Sequence, residues 1–216
     1  MHKLKRVLNV NNNYDKIANS YDFLSRMVFG RAQVNAQIHQ LKYLPTRGNI
    51  LIVGGGTGWI LEEIAKIHPS GLNITYVEVS AKMILLSMKR NTHDNEVTFY
   101  RDSIENFESN CRFDAILTPF LFDNFSTQTA EMVFKKLNLL LINQGVWLMV
   151  DFTLKHGSIW WKQVFLKLMY QFFRILSNVE TKTLVDTEVY FDHCKYKIIA
   201  VSFYFGRFIK AIVYLK

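Results

Sequence analysis

The chain has 216 residues, half of them hydrophobic and 14% aromatic, with three prolines and two cysteines. This suits one globular core and excludes collagen-like, low-complexity and disulfide-stapled classes. The formal net charge of +8 lies on the flanks: residues 1–49 carry eight Lys/Arg against two acids, 50–149 eight against eleven, and 150–216 ten against five. Such asymmetry suits an anionic ligand, nucleic acid or an anionic membrane near the flanks, and equally a set of solvated lysines.

At the amino end, disorder is expected only in the first dozen residues. Lys3, Lys5 and Arg6 precede "NVNNN", which lacks the apolar core of a signal peptide. The longest apolar runs, such as "LLLI" at 139–142, fall far below the roughly 18 residues that cross a bilayer. A soluble, cytoplasmic protein is the expectation. Cys111 and Cys194 are far apart and form no CxxC pair, so both read as ordinary thiols. His193 beside Cys194 has no second ligand cluster at zinc spacing, and no metal site is expected.

"NILIV" (49–53) reads as a strand buried on both faces. It runs into Gly54, Gly55, Gly56, Thr57 and Gly58, after which "WILEEIAKIH" (59–68) has Ile60, Ile64 and Ile67 at helical spacing. The glycines therefore make a strand-to-helix turn. Strand 73–79, helix 81–91, strand 97–100, strand 113–120, helix 127–141 and strand 145–152 follow. Alternation of this kind means a doubly wound α/β domain with a mostly parallel sheet and right-handed crossovers. Then come an aromatic amphipathic helix at 158–176, a helix at 183–194, and two strands joined at Gly206. Both of these strands look too apolar for a solvated edge, so they are expected to insert into the sheet, one of them antiparallel.

In such sheets ligands bind beyond the carboxyl ends of the strands, where strand order reverses. No Gly-Lys-Ser/Thr follows the turn, which excludes a P-loop. A GxGxxG begun at Gly54 would need glycine where Trp59 stands. What remains is GxGxG, suited to a ligand without a pyrophosphate. Glu78 closes the second of these strands, where a carboxylate can accept from both ribose hydroxyls. Asp102 follows the third, where a short acceptor can take the exocyclic amine of adenine. Each acid alone is an ordinary loop carboxylate; together with the turn they describe a nucleoside site.

Through "ILIVGGGTG", "YVEVSAKMI", "VTFYRDSIENF", "FDAILTPFLFDNF" and "GVWLMVDF", the chain resembles the class I S-adenosylmethionine-dependent methyltransferases. Within them "YDKIANSYDFLSRMVFG" and "SFYFGRFIKAIVYLK" look most like the ubiquinone/menaquinone-biosynthesis C-methyltransferase group. The resemblance implies a Rossmann-like sheet of seven strands, one antiparallel near the carboxyl end. It implies S-adenosyl-L-methionine as cofactor and S-adenosyl-L-homocysteine as product. One domain is expected over 1–216: a helical lid at 1–45, a cofactor-binding core at 46–152, and capping helices with a hairpin at 153–216.

By the same resemblance, the Gly54–Gly58 turn approaches the methionine part of the cofactor. Glu78 takes the ribose, Val79 and Met83 the adenine faces, and Asp102 with Ser103 and Ile104 the adenine edge. Thr118 lies near the sulfonium. Tyr14 and Tyr21 belong to the lid, with plain helix packing as their alternative. Three departures stand out: Ile52 replaces the usual acid two before the first glycine, Trp59 replaces an acid after the turn, and Asp123-Asn124 replaces an Arg-Asn pair. The group's acceptor is therefore not carried over.

Where the acceptor must lose a proton, His156 is the candidate base, with Asn124 and Tyr21 as orienting groups. The 158–176 helix has three readings: an apolar acceptor wall, core packing, or peripheral contact with a membrane. The expected function is methylation of a small apolar or aromatic acceptor at carbon or oxygen. The alternatives are an RNA methyltransferase using the basic flanks and a non-catalytic binding module. The residues fix no oligomeric state.

Overall fold

The computed structural model describes residues 3–7, 15, 18–155, 160–165 and 184–216. Eight strands form one sheet: β1 (Lys3–Val7), β2 (Gly48–Val53), β3 (Ser70–Glu78), β4 (Asp94–Arg101), β5 (Phe113–Pro119), β6 (Leu141–Phe152), β7 (Lys197–Tyr204) and β8 (Ile209–Leu215). Their spatial order is β1-β4-β3-β2-β5-β6-β8-β7. From β4 to β7 this is the seven-stranded arrangement expected, with β8 alone running against the rest. The helices are α1 (Ala18–Phe29), α2 (Ala32–Ile38), α3 (Trp59–Ile67), α4 (Ala81–Ser87), α5 (Thr127–Leu140) and α6 (Glu188–His193).

Three expectations need correction. Residues 3–7, assigned to a disordered or helical amino end, are a strand that pairs in parallel with β4. Only β8 is inserted between two strands. β7 is an edge, and its Ile198, Ile199 and Val201 are exposed. The helix expected at 183–194 is shorter, because Leu184 to Asp186 have no regular structure. Of the 158–176 helix, residues 160–165 are helical and 166–176 lie outside the described residues.

Local rules place the helix starts. Ser80 caps α4 and Ser126 caps α5, each hydroxyl accepting a backbone N–H three residues on at 3.2 Å. α3 buries Ile60, Leu61, Ile64 and Ala65 against the sheet and stops before Pro69. On the opposite face, Trp147 of β6 is fully buried. It stacks on Phe134 of α5 at 5.3 Å and meets Phe191 of α6 edge-on at 4.9 Å. Phe191 in turn stacks on Tyr214 of β8. This aromatic column fixes the inserted strand to both covering helices. Trp147→Ala is expected to lower stability by about 3–5 kcal/mol, read as a reduced urea midpoint with an unchanged m-value.

Candidate cofactor site

The sheet turns from β2 to β3 on one side and to β5 on the other, so the switch point lies at the end of β2. Register places Val53 beside Val77 and Glu78 beside Arg101. Gly54, Glu78 and Asp102 therefore follow one another across three adjoining strand ends.

The glycines divide by what a side chain would meet. Gly54, Gly56 and Gly58 all have positive φ (68°, 63° and 77°). A Cβ on Gly55 would lie 2.4 Å from the Tyr76 hydroxyl, and one on Gly58 2.4 Å from Ser87 Cβ of α4. Those two are bare because the protein packs there. A Cβ on Gly54 or Gly56 would meet only Leu121 Cδ1 at 3.4 Å or Met83 Sδ at 3.8 Å. These two keep open the side from which a ligand can reach the main chain.

Glu78 is buried, and its carboxylate accepts from Gly56 N at 3.0 Å and Ser80 N at 2.9 Å. Burial raises its pKa, the backbone donors Ser80, Gly56 and Val79 oppose that rise, and the charge of Asp15 adds to it. Of roughly four lone-pair positions on a carboxylate, these backbone donors leave at least one, which gives acceptor capacity for a ribose hydroxyl. Tyr76, beneath it, donates its hydroxyl to Gly56 O at 2.9 Å. Asp102 is buried at the end of β4 and accepts from Ser103 N. Ile104 is buried beside it, Met83 is buried on α4, and Val79 and Ser103 are half-buried.

Other sequence candidates are placed differently. Thr118 is fully buried, and its hydroxyl accepts from Trp147 Nε1 at 2.9 Å, so the side chain belongs to the core beneath the crevice. Asn124 donates to Phe120 O at 2.9 Å and to Asp123 Oδ1 at 2.7 Å, which braces the loop after β5. Tyr21 lies on α1, and its side chain is outside the described set; Tyr14 and His156 are outside the described residues altogether. Ile52 is fully buried in the apolar layer under α3.

Sequence reasoning passed over the acids beside those tyrosines. Asp22 of α1 accepts from the Thr57 hydroxyl at 2.7 Å, and Arg90 lies 3.7 Å from the same carboxylate while donating to Thr57 O at 3.0 Å. Asp15 accepts from Ser80 Oγ at 2.5 Å and Lys82 N at 3.2 Å. The amino-terminal segment is thus fastened over the glycine turn and the start of α4. The signal was the "YD" written twice, in "YDKIANSYD", where the acids make these contacts.

Beyond β5 and β6 the lining is apolar. Phe120 has a φ of 51° and stands 4.9 Å from Phe152, which stacks on Phe208. Two acids lie at the same end. Burial pushes Asp151 up to about 7, and burial together with the charge of Asp151 raises Asp123 well above the usual carboxylate range. Among the described residues, no group of three His, Cys, Asp or Glu could hold a metal ion.

Comparison with known proteins agrees with this geometry. Residues 50–145 match the family described as "Methyltransferase domain". A stretch of 80 residues is 39% identical to the ubiquinone/menaquinone biosynthesis C-methyltransferase UbiE of Geotalea daltonii. It covers 36% of this chain and 34% of that protein, so the match spans about a third of the relative's length. The fold is shared with the N-methyltransferase NodS of Bradyrhizobium japonicum WM9 in complex with S-adenosyl-L-homocysteine, at TM-score 0.62 and 12% identity over 83% of this chain and 84% of that one. It is shared also with 1,6-didemethyltoxoflavin-N1-methyltransferase of Burkholderia thailandensis, at TM-score 0.61 and 12% identity over 98% and 93%. The chain has the class I methyltransferase fold. Its residues 50–145 are similar to a methyltransferase domain.

Two outcomes test the site. Gly56→Ala is expected to cost only the strain of a left-handed Ala, about 1–2 kcal/mol, whereas Gly55→Ala must displace Tyr76 and lowers the melting temperature further. For Asp151 the folded pKa exceeds the unfolded one, so the folded state holds its proton more tightly. Its contribution to stability is therefore present at low pH and lost as pH rises from about 4 to about 7. In denaturation across that range, Asp151→Asn should make the decline shallower, with Asp123 and Glu78, also raised, supplying the rest.

Proposed function

We propose that the protein is an S-adenosyl-L-methionine-dependent methyltransferase whose acceptor is a small apolar or aromatic molecule methylated at carbon or oxygen. The observation that carries this reading is the run of Gly54, Glu78 and Asp102 across adjoining strand ends at the switch point. The residues fit the cofactor: Gly54 and Gly56 leave space for it, and Glu78 keeps acceptor capacity for a ribose hydroxyl. Asp102, Ser103 and Ile104 would take the adenine edge, and Met83 and Val79 its faces. When bound, the cofactor supplies a methyl group already activated by a positive sulfur.

The chain's task is then chiefly alignment, holding acceptor and methyl about 3–3.5 Å apart in line. Asp22 and Asp15 hold the amino-terminal segment over the turn and limit water there. Phe120, half-buried and packed on the buried Phe152 and Phe208, offers an apolar surface beyond β5. The similarity of an 80-residue stretch to a ubiquinone/menaquinone biosynthesis C-methyltransferase supports a carbon target. A base for the acceptor proton is proposed at His156, with Tyr21 orienting. The exposed Trp160 and Val164 extend the reading to peripheral contact with a membrane surface through the start of 158–176.

Calorimetry tests the central claim. S-adenosyl-L-methionine and its demethylated product should both bind, and Glu78→Ala should weaken both at least about tenfold, as expected when charge-assisted hydrogen bonds are lost. No measurable affinity of the native chain for either ligand would leave the fold as a non-catalytic module.

A further inference from the structure

Residues 160–165 face two ways. Trp161 and Phe165 point inward: Phe165 lies 5.5 Å from Phe29 of α1 and 5.7 Å from Phe208. A Cβ on Gly206 would stand 2.9 Å from the Trp161 ring, so the bare turn seats the indole. One helical turn apart on the other side, Trp160 is 72% exposed and Val164 52%. Because Phe29 packs on Phe165, the end of α1 adjoins this face, and there Met27 is 65% exposed and Val28 46%. Single exposed hydrophobes are ordinary, but four on two adjoining elements form a patch of the kind that marks an interaction surface.

The charges on the segments that carry and adjoin the patch are of one sign. Residues 23–31, 160–165 and 203–210 contain five cations, Arg26, Arg31, Lys162, Arg207 and Lys210, and no Asp or Glu. Lys162 is buried and donates to Arg207 O, and Lys210 is turned to Glu188. Arg26, Arg31 and Arg207 are exposed. An outward Trp with aliphatic neighbours, rimmed by arginines, is the composition that settles at a headgroup boundary.

We propose that this corner docks on an anionic phospholipid bilayer, with Trp160, Val164, Met27 and Val28 entering the headgroup–acyl boundary and the three arginines facing lipid phosphates. The inference rests on the apolar-acceptor reading and deepens it. From the patch, Phe165 and Phe29 lead inward to Phe152 and then to Phe120 at the end of β5. Docking therefore brings the bilayer beside the aromatic cluster that reaches Phe120, and so close to the end of β5 where a lipid-like acceptor would bind.

Sedimentation of the full chain with vesicles decides the matter, using equal parts phosphatidylglycerol and phosphatidylcholine against phosphatidylcholine alone. Binding should favour the anionic vesicles, fall with salt, and drop about tenfold or more for Trp160→Ser with Met27→Ser, since apolar insertion sets its strength. Arg31→Gln with Arg207→Gln should weaken it about thirtyfold, since each cation near the surface contributes about 1 kcal/mol. Cofactor affinity should be the same in all variants. The proposal is overturned by no binding to anionic vesicles, by binding that the Trp160/Met27 pair leaves unchanged, or by a dimer in ultracentrifugation that this pair dissolves. Vesicle binding without any affinity for the cofactor would instead remove the methyltransferase reading and leave the docking surface standing.

Discussion

Two backbone N–H groups donated to one buried carboxylate set the shape of the crevice. Glu78 cannot relax into water, so its charge is costly unless Gly56 and Ser80 hold it. In return it fixes the glycine turn on one side and the first turn of α4 on the other. Tyr76, immediately below, occupies the room that Gly55 vacates and secures the same turn from beneath. Charge, main chain and ring thus determine one another. The open sides of Gly54 and Gly56 are what this arrangement leaves over.

The two sides of the crevice are built from different materials. On the β2–β4 side the surfaces are main chain and short acids, which provide direction and hydrogen bonds. On the β5–β6 side the half-buried ring is that of Phe120, backed by the buried Phe152 and Phe208, which offers area and little direction. Such a division suits a cofactor held in one pose beside an acceptor recognised mainly by shape and polarity. The Asp123–Asp151 pair is the exception on the apolar side. Its raised pKa values follow from burial in that setting, with mutual repulsion lifting Asp123 further.

The strand-turn-helix unit and the alternation after it were legible because each rests on local periodicity and on glycine, both of which act within a few residues. Thr118 was not. A position near a strand end says nothing of which face it serves, and alternation sends Thr118 inward to Trp147. β7 misled in the opposite way: an apolar strand suggests burial, yet pairing order is decided by the whole sheet, which made this strand an edge. At the amino end "KLKRV" carries too little apolar content to announce a strand, and its place comes from the free edge of β4. In the amino-terminal segment, the acids that bind Thr57 and Ser80 each directly follow a tyrosine, and no local periodicity sets them apart from it.

β8 lies between β6 and β7 although it follows both in the chain. During synthesis, the β6 edge and the Trp147 face must wait, unpaired and apolar, until residues 209–215 leave the ribosome. At roughly 5–20 residues per second, the 57 positions from Phe152 to Ile209 leave that edge open for seconds. A nascent chain of this protein is therefore most vulnerable to aggregation or chaperone capture in that interval, after the nucleoside half of the sheet can already have formed.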